Sequence, residues 1–226
     1  MPNHKGRMVL VAPSIPDEEL SRLVRDAEVV RYCLDRQRPV TQEFLRLARI
    51  LAFHCASLAA GERVDCLVAP MHGGLELTRI VWDVLRELNP ELAALFVCFR
   101  RRQGNHLLEE ITFHGFEGGD PTLRDFTKED TSRLIDGKRV LLLCELMTRG
   151  CMLRRILKSI FSSHPRTQVA AIAALANRDA DTLGRLAEWV TRSPEDMAPL
   201  YVALDFDEPP PTGSSRNETV AGPEPF

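Results

Sequence analysis

Two short loops in the sequence carry residue types that could hold a phosphate. The first, APMHGG (69–74), follows an apolar run, and its glycines allow close backbone approach and free N–H groups at a helix start. The second, CELMTRGC (144–151), also lies between an apolar run and an amphipathic stretch. There the backbone N–H groups from Thr148 to Cys151 would suit a phosphate, and Glu145 would face a sugar. The alternative for either loop alone is a plain tight turn.

Strands and helices alternate around these loops. Apolar runs predict strands at RMVLV, RVDCLVAP, ELAALFVCF, KRVLLLCEL, QVAAIAALAN and PLYVALDF, with EEITFHGF as a more polar strand. Helical spacing appears in TQEFLRLARILAFHCASLAAGE, LELTRIVWDVLREL, the segment after Gly150 and DTLGRLAEWV, and His54 is expected to be a packing residue. This alternation predicts an α/β fold with a mainly parallel open sheet and helices on both faces. Ligands of such sheets collect at the carboxyl ends of the strands.

Composition limits the domain organisation and the partners. The chain has 226 residues, of which 44% are hydrophobic and 27% charged, which indicates one globular domain. The proline- and glycine-rich end predicts a domain over residues 1–208 and a tail over residues 209–226. A net charge of −3 argues against a broad nucleic-acid surface, although the cluster Arg100–Arg102 could make a local RNA contact.

Cysteine usage and hydropathy indicate an intracellular protein. The six cysteines form no CxxC pair, so we expect reduced thiols rather than disulfides or a zinc site. The apolar runs are shorter than the roughly 20 residues that span a bilayer, so no membrane is expected. The N-terminus lacks the apolar core of a secretory signal, which leaves the cytoplasm or an organelle such as the mitochondrion.

Together, these motifs resemble the type I phosphoribosyltransferases, in particular the hypoxanthine-guanine branch. The segment VLLLCELMTRGCML is similar to the family's central signature, an apolar strand with two acids followed by a loop for the 5′-phosphate. The segment APMHGGLELTRIV resembles the pyrophosphate loop, and LYVALDFDE resembles the late strand. The likeness spans about residues 7–208. It implies a phosphoribosyltransferase-like fold with a small hood, and a homodimer.

The resemblance departs from the family where the chemistry would take place. The paired acids that hold the ribose hydroxyls fall on Cys144 and Glu145, so one charge remains. The aspartate implied as general base falls on Thr148, whose hydroxyl cannot accept a proton at neutral pH. A hydroxyl residue of the phosphate loop falls on Met152, and the stacking aromatic is absent unless Tyr201 takes its role. Glu145 and Thr148 are therefore degenerate catalytic candidates.

The implied binding residues fall into four sets. They are the phosphate loop (Thr148, Arg149, Gly150, Cys151), the pyrophosphate loop (Met71, His72, Gly73), the base-binding Arg178 and the magnesium-associated Asp205. Magnesium is implied only where a phosphoribosyl ligand binds, and no other cofactor is expected.

Three functions remain open on these residues. Losing a general base costs about 10²–10⁴-fold in rate, and losing one preorganised electrostatic group about 10²–10³-fold. The first function is therefore a non-catalytic phosphoribosyltransferase-like subunit of a larger protein assembly, including a ribonucleoprotein. The second is an active purine phosphoribosyltransferase of nucleotide salvage that uses Glu145, Asp205 and Arg178. The third is a nucleotide-sensing regulator that binds without turnover. The balance leans away from an enzyme.

Overall fold

The computed structural model describes residues 8–10, 42–61, 63–71, 74–101, 109–147, 151–177, 181–189 and 198–205. In chain order the elements are β1 (Met8–Leu10), α1 (Gln42–Gly61), β2 (Cys66–Pro70), α2 (Leu75–Leu85), β3 (Ala93–Arg101), β4 (Glu109–Glu117), β5 (Asp120–Phe126), α3 (Lys128–Ile135), β6 (Arg139–Met147), α4 (Cys151–Ser163), β7 (Gln168–Asn177), α5 (Thr182–Trp189) and β8 (Leu200–Asp205). Within these ranges, no helix combines the length and apolar character needed to cross a membrane.

The described strands form one sheet in the order β1-β8-β7-β6-β2-β3-β4-β5. In this sheet order, the six strands β1, β8, β7, β6, β2 and β3 each run parallel to their neighbours. Strand β4 pairs antiparallel with β3, and β5 pairs antiparallel with β4. The predicted mainly parallel open sheet is confirmed. The strands and helices predicted from apolar runs and helical spacing are present as well, while the boundary between residues 208 and 209 lies outside the described residues.

Two helical layers cover opposite faces of the sheet. Because successive strand residues alternate between faces, Leu67 and Ala69 of β2 pack with α1 and α2, whereas Cys66 and Val68 pack with α3, α4 and α5. Both layers are closed by fully buried aliphatic side chains. The near-continuous apolar runs of β2, β6 and β7 follow from this burial on both faces.

Trp82 fixes α2 against the sheet. Its side chain is buried, and its indole Nε1–H donates a hydrogen bond to the carbonyl oxygen of Leu92 over 2.9 Å. Its ring meets Phe116 of β4 edge to face, with centroids 4.9 Å apart. The position of the α2 N-terminus relative to the strand ends is therefore set by a packed and hydrogen-bonded anchor.

The sequence predicts β4 as EEITFHGF, but strand β5, with which β4 forms a hairpin, and helix α3 are absent from the prediction. The turn places Gly118 and Gly119 at φ of 64° and 80°, values that favour glycine and belong to a tight hairpin. Helix α3 begins with a capping box, in which Thr127 accepts from the Asp130 backbone N–H and Asp130 accepts from that of Thr127. In the sequence, EGGD could have indicated the hairpin turn, and TKED could have indicated the start of the helix.

Candidate functional site

The strand order reverses between β2 and β6, the adjacent central strands. After β2 the chain enters α2 on one face of the sheet, and after β6 it enters α4 on the other face. A crevice opens at the carboxyl ends of such a pair, and it is where open α/β sheets bind ligands. Both loops singled out from the sequence follow these two strands, so the topology brings them to one place.

Glu145 is the buried acid at this point. In β6, Leu141 and Leu143 pack on the α2 side of the sheet, and Glu145 continues that alternation. The residue is 6% exposed, and its Oε1 has no hydrogen-bond partner. Burial, with a smaller contribution from the Glu76 carboxylate, raises the pKa of Glu145 from 4.5 to about 8. At pH 7 this side chain is a neutral carboxylic acid that can donate as well as accept.

Cys144 lies on the opposite face of β6. It is buried in the cluster that contains Leu153 and Ile156 of α4, and burial raises the pKa of its thiol to about 12. The two positions that the family resemblance pairs are thus separated by the sheet. An acid at position 144 would enter the apolar layer under α4 instead of standing beside Glu145.

Helix α2 carries Glu76, whose carboxylate acts electrostatically on Glu145, and its N-cap residue provides no side-chain cap. Its N-cap residue is Gly74, and a Cβ there would lie 2.5 Å from the carbonyl oxygen of Pro70 and 3.0 Å from Cβ of Ala69. A side chain at position 74 would therefore force the turn to move. Because glycine has no side chain, the N-cap residue satisfies none of the first backbone N–H groups of α2. Met71, by contrast, already donates its N–H to Val97 over 3.0 Å.

The first turns of α2 carry three polar side chains that the sequence reading did not single out. Glu76 accepts a hydrogen bond from Arg79 Nη1 over 3.3 Å, and both side chains are about one-third exposed. Thr78 is fully buried, and its Oγ1 has no partner. The Nε of Arg79 is likewise buried without a partner. The acid just after the two glycines could have pointed to Glu76, whereas nothing in the sequence marks Thr78.

The remaining predicted site residues are described in part or not at all. Thr148, Arg149, Gly150, His72, Gly73 and Arg178 lie outside the described residues, as does the side chain of Cys151. Asp205 ends β8 opposite Asn177 of β7. Asn177 is fully buried and accepts a hydrogen bond from Thr182 Oγ1 over 2.7 Å.

Tyr201 is a core residue of β8. It is 3% exposed, and its ring packs against His54 of α1 with centroids 4.5 Å apart. His54 is thus the packing residue that the sequence predicts. Since Tyr201 is enclosed under α1, it does not supply the stacking aromatic that the family resemblance requires.

Among the residues that the structure describes, no three His, Cys, Asp or Glu side chains form a group that could hold a metal. Magnesium at Asp205 therefore stays a prediction from the family resemblance.

The fold and the crevice define an α/β protein with a ligand-type site at a topological switch point. The chain is similar to phosphoribosyltransferases of known structure. A Trypanosoma cruzi hypoxanthine phosphoribosyltransferase complexed with IMP has 13% identity and a TM-score of 0.45, covering 73% of this chain and 74% of that one. Orotate phosphoribosyltransferase from Aeropyrum pernix has 18% identity and a TM-score of 0.44, covering 71% of each chain.

A third similar structure is a hypothetical protein from Neisseria gonorrhoeae with bound ppGpp. Its identity is 14% and its TM-score 0.44, and the match covers 73% of this chain and 79% of that one. No protein-family model and no curated protein matches the sequence. The assignment of the fold class therefore rests on the strand order and the helical layers themselves.

Proposed function

We propose that the protein is a phosphoribosyltransferase-like protein that has lost catalysis and acts as an interaction subunit of a larger assembly. The observation that carries the proposal is Glu145, a buried acid at the strand end where a transferase of this kind needs charged carboxylates, and burial raises its pKa to about 8. A neutral acid stabilises a cationic sugar transition state far less than an ionised one. Losses of this kind reach about 10²–10³-fold for each missing group.

The position of Cys144, on the face of β6 opposite Glu145, also supports a loss of catalysis. A second charge beside Glu145 is not available from β6, because position 144 lies in the layer under α4. Thr148, in the general-base position, offers only a hydroxyl. The apolar layers, by comparison, are complete on both faces of the sheet. The framework has been retained while the charged centre has not.

Exposed apolar side chains support an interaction role. Phe53 of α1 is 64% exposed, and Ile111 of β4 and Met152 of α4 are each 40% exposed. Ile111 is the cross-strand neighbour of Phe99, over which Arg155 of α4 stacks at 4.0 Å. Apolar side chains beside a stacked guanidinium are typical of protein interfaces.

A protein partner is favoured over RNA at the end of β3. The register places Arg100 opposite Glu110 and Arg101 opposite Glu109. The two acids at these register positions offset the charge of two arginines in the sequence, which reduces the net positive potential that would attract phosphates. RNA contact through Arg100–Arg102 is therefore the weaker form of the proposal.

The proposal is tested by turnover and by assembly state together. The full chain, incubated with phosphoribosyl pyrophosphate, Mg²⁺ and each purine base, is expected to release no pyrophosphate above a protein-free control. The tagged chain in cell extract is expected to sediment in a stoichiometric complex that survives ribonuclease. Ile111→Ser combined with Met152→Ser should weaken that complex, whereas Leu88→Ser, at another exposed apolar position, should not. Base-dependent turnover, or a lone dimer in the extract, would overturn it.

A nucleotide-sensing regulator is the second candidate, and Glu145 favours it too. A buried oxygen without a partner is costly unless something binds it. Ligand binding to the folded state would raise the melting temperature. A thermal shift with purine monophosphates in the absence of turnover would select this function. Pyrophosphate release would instead select the active purine phosphoribosyltransferase.

A further inference from the structure

A hydroxyl, an imidazole and a carboxylate form a chain of hydrogen bonds on the outer hairpin of the sheet. Thr112 and His114 lie two residues apart on β4 and therefore share one face of the strand. Asp125 of β5 is the cross-strand neighbour of His114. Thr112 Oγ1 lies 3.3 Å from His114 Nε2, and His114 Nδ1 lies 2.7 Å from Asp125 Oδ1. Both nitrogens of the ring are thereby engaged, one by a hydroxyl and the other by a carboxylate.

The carboxylate sets the direction of this chain. A carboxylate only accepts hydrogen bonds, so Nδ1 of His114 carries the hydrogen that is donated to Asp125. In a neutral imidazole the other nitrogen is then unprotonated, and Nε2 accepts from the Thr112 O–H. A histidine in this arrangement acts as a general base toward the hydroxyl, while the carboxylate orients the ring.

A second hydroxyl–imidazole pair in the described part of the chain lacks the carboxylate. Ser132 Oγ of α3 lies 3.0 Å from His164 Nε2. His164 Nδ1 is buried and has no hydrogen-bond partner, so no acceptor fixes which nitrogen carries the hydrogen. The Asp136 carboxylate, which interacts with His164 electrostatically, is paired with Arg166. The two pairs therefore differ in the group that makes a histidine a directed base.

The Thr112 end of the chain of hydrogen bonds is open to a substrate. Thr112 and His114 are half-buried, with 16% of the His114 side chain exposed, and Asp125 is exposed. Among the described residues, β5 pairs with β4 only from Phe113 onward, so no described strand lies beside Thr112 on that side. An open strand edge presents backbone N–H groups, the type of donor that stabilises the oxyanion of an acyl transfer.

We propose that Thr112 is the nucleophile of a site on the hairpin β4–β5 that hydrolyses carboxylic esters. Two strands, β2 and β3, separate β4 from β6, so this site lies about 14 Å from the strand that carries Glu145. It is therefore distinct from the crevice at the end of β6. It also does not depend on the assembly role proposed above.

The reaction has two steps in which His114 moves one proton. Thr112 Oγ1 attacks the acyl carbon of the ester as its proton passes to His114 Nε2. The bond between the acyl carbon and the alcohol oxygen breaks, and His114 gives that proton to the departing alcohol. Water then attacks the threonine ester, and its proton passes through His114 to Thr112 Oγ1 as the acid leaves. Asp125 is a positioning residue, because it acts through the imidazole.

The test uses the full chain with p-nitrophenyl acetate. The wild type should hydrolyse it faster than protein-free buffer, and mass spectrometry of quenched protein should find an acetyl group on Thr112. Thr112→Val keeps the shape of the side chain and the imidazole of His114, yet it should lower the rate about 100-fold, because no nucleophile remains beside the base. Ser132→Ala removes the hydroxyl of the other pair and should react as the wild type.

The role of Asp125 is tested by two substitutions at an exposed position. Asp125→Asn should lower kcat about tenfold with little change in KM, because an amide also donates and so favours the wrong tautomer of His114. Asp125→Glu keeps a carboxylate and should recover most of the rate. A purely structural role would not separate kcat from KM, nor would it give this recovery.

Four results would overturn the proposal. They are no hydrolysis above buffer, a rate that Thr112→Val leaves unchanged, acetylation of Ser132 in place of Thr112, and an Asp125→Asn rate equal to that of the wild type. An unchanged rate in Thr112→Val would assign the hydrolysis to the imidazole alone. Thermal unfolding confirms that each variant is folded. Turnover of phosphoribosyl pyrophosphate would contradict the proposed function but not the ester site, whereas a failure at Thr112 would leave the proposed function standing.

Discussion

Asp65 and Glu145 are carboxyls at opposite ends of two neighbouring strands, and their partners differ completely. Asp65, just before β2, accepts the backbone N–H of Arg139 over 3.0 Å and an ion pair from Arg63 Nε at 2.7 Å. Glu145, near the end of β6, has a buried oxygen with no partner. The first carboxyl fixes the register of β2 against β6. The second stabilises nothing that the described residues show.

The difference extends along both edges of the sheet. Near the amino edge, Arg166 pairs with Asp136, and Thr167 Oγ1 donates to the carbonyl oxygen of Ile135 over 2.6 Å. Among the described residues, Glu145 Oε1 and Thr78 Oγ1 at the carboxyl edge are buried without a partner, and so is His164 Nδ1 near the amino edge. An unpaired buried polar group costs about 1–3 kcal/mol. The two edges therefore differ in their carboxyls: Asp65 and Asp136 at the amino edge are paired, whereas Glu145 at the carboxyl edge is not.

The largest expected effect is a pH dependence that Glu145 imposes on stability. Unfolded Glu145 loses its proton near pH 4.5, whereas the folded residue holds it to about pH 8. Between these values the folded state binds more protons, so the free energy of unfolding falls as pH rises, by about 1.4 kcal/mol per unit. Urea unfolding of the wild type and Glu145→Gln from pH 5 to 9 measures the difference. A difference that stays constant across this range would contradict the burial of Glu145.

Asp65→Ala should have the next largest effect. It removes the acceptor of the Arg139 N–H and the ion pair with Arg63, which we expect to lower stability by about 1.5–3 kcal/mol. Asp65→Asn is the matched control, since its amide oxygen can still accept from Arg139 and its loss should be smaller. Chemical unfolding at pH 7 distinguishes them. Equal losses in both variants would mean that the charge, not the register bond, matters.

Thr78→Val should have the smallest effect on stability. The substitution conserves shape and removes a buried hydroxyl that has no partner, so stability should stay within about 1 kcal/mol of the wild type or rise. A loss of stability above about 2 kcal/mol would show that Thr78 holds the fold, and the contrast between the two edges would weaken.

The central sheet and strand β4 were predictable, while the outermost strand β5 was not. Runs such as CLVAP and VLLLC are short and apolar at successive positions, which favours a strand buried on both faces, so β2 and β6 follow from the sequence. The strand β5, DPTLRDF, is mostly polar because its side chains are largely exposed. The apolar pattern therefore does not predict β5, and only Gly118 and Gly119 before it indicate the turn.

The location of the candidate site was predictable, and its chemistry was only partly so. The order of strands, loops and helices along the sequence is enough to predict that the loops after β2 and β6 lie at the carboxyl ends of the strands, where such sheets bind ligands. The alternation of side chains along a strand predicts that Cys144 and Glu145 lie on opposite faces of the sheet. It does not predict which of the two lies on the face that α2 covers, because that depends on the side to which each helix crosses. Burial of Glu145 and the lack of a partner for its Oε1 arise from packing between elements distant in sequence.

The outer strand β5 has a consequence for how copies of this chain behave when crowded. Pro121 lacks an amide hydrogen, and Thr122, Arg124 and Asp125 project into solvent. A strand from another copy that tried to pair with β5 would face charged side chains and, at Pro121, a position with no backbone N–H to donate. Fibre-like polymerisation is thereby discouraged on this side.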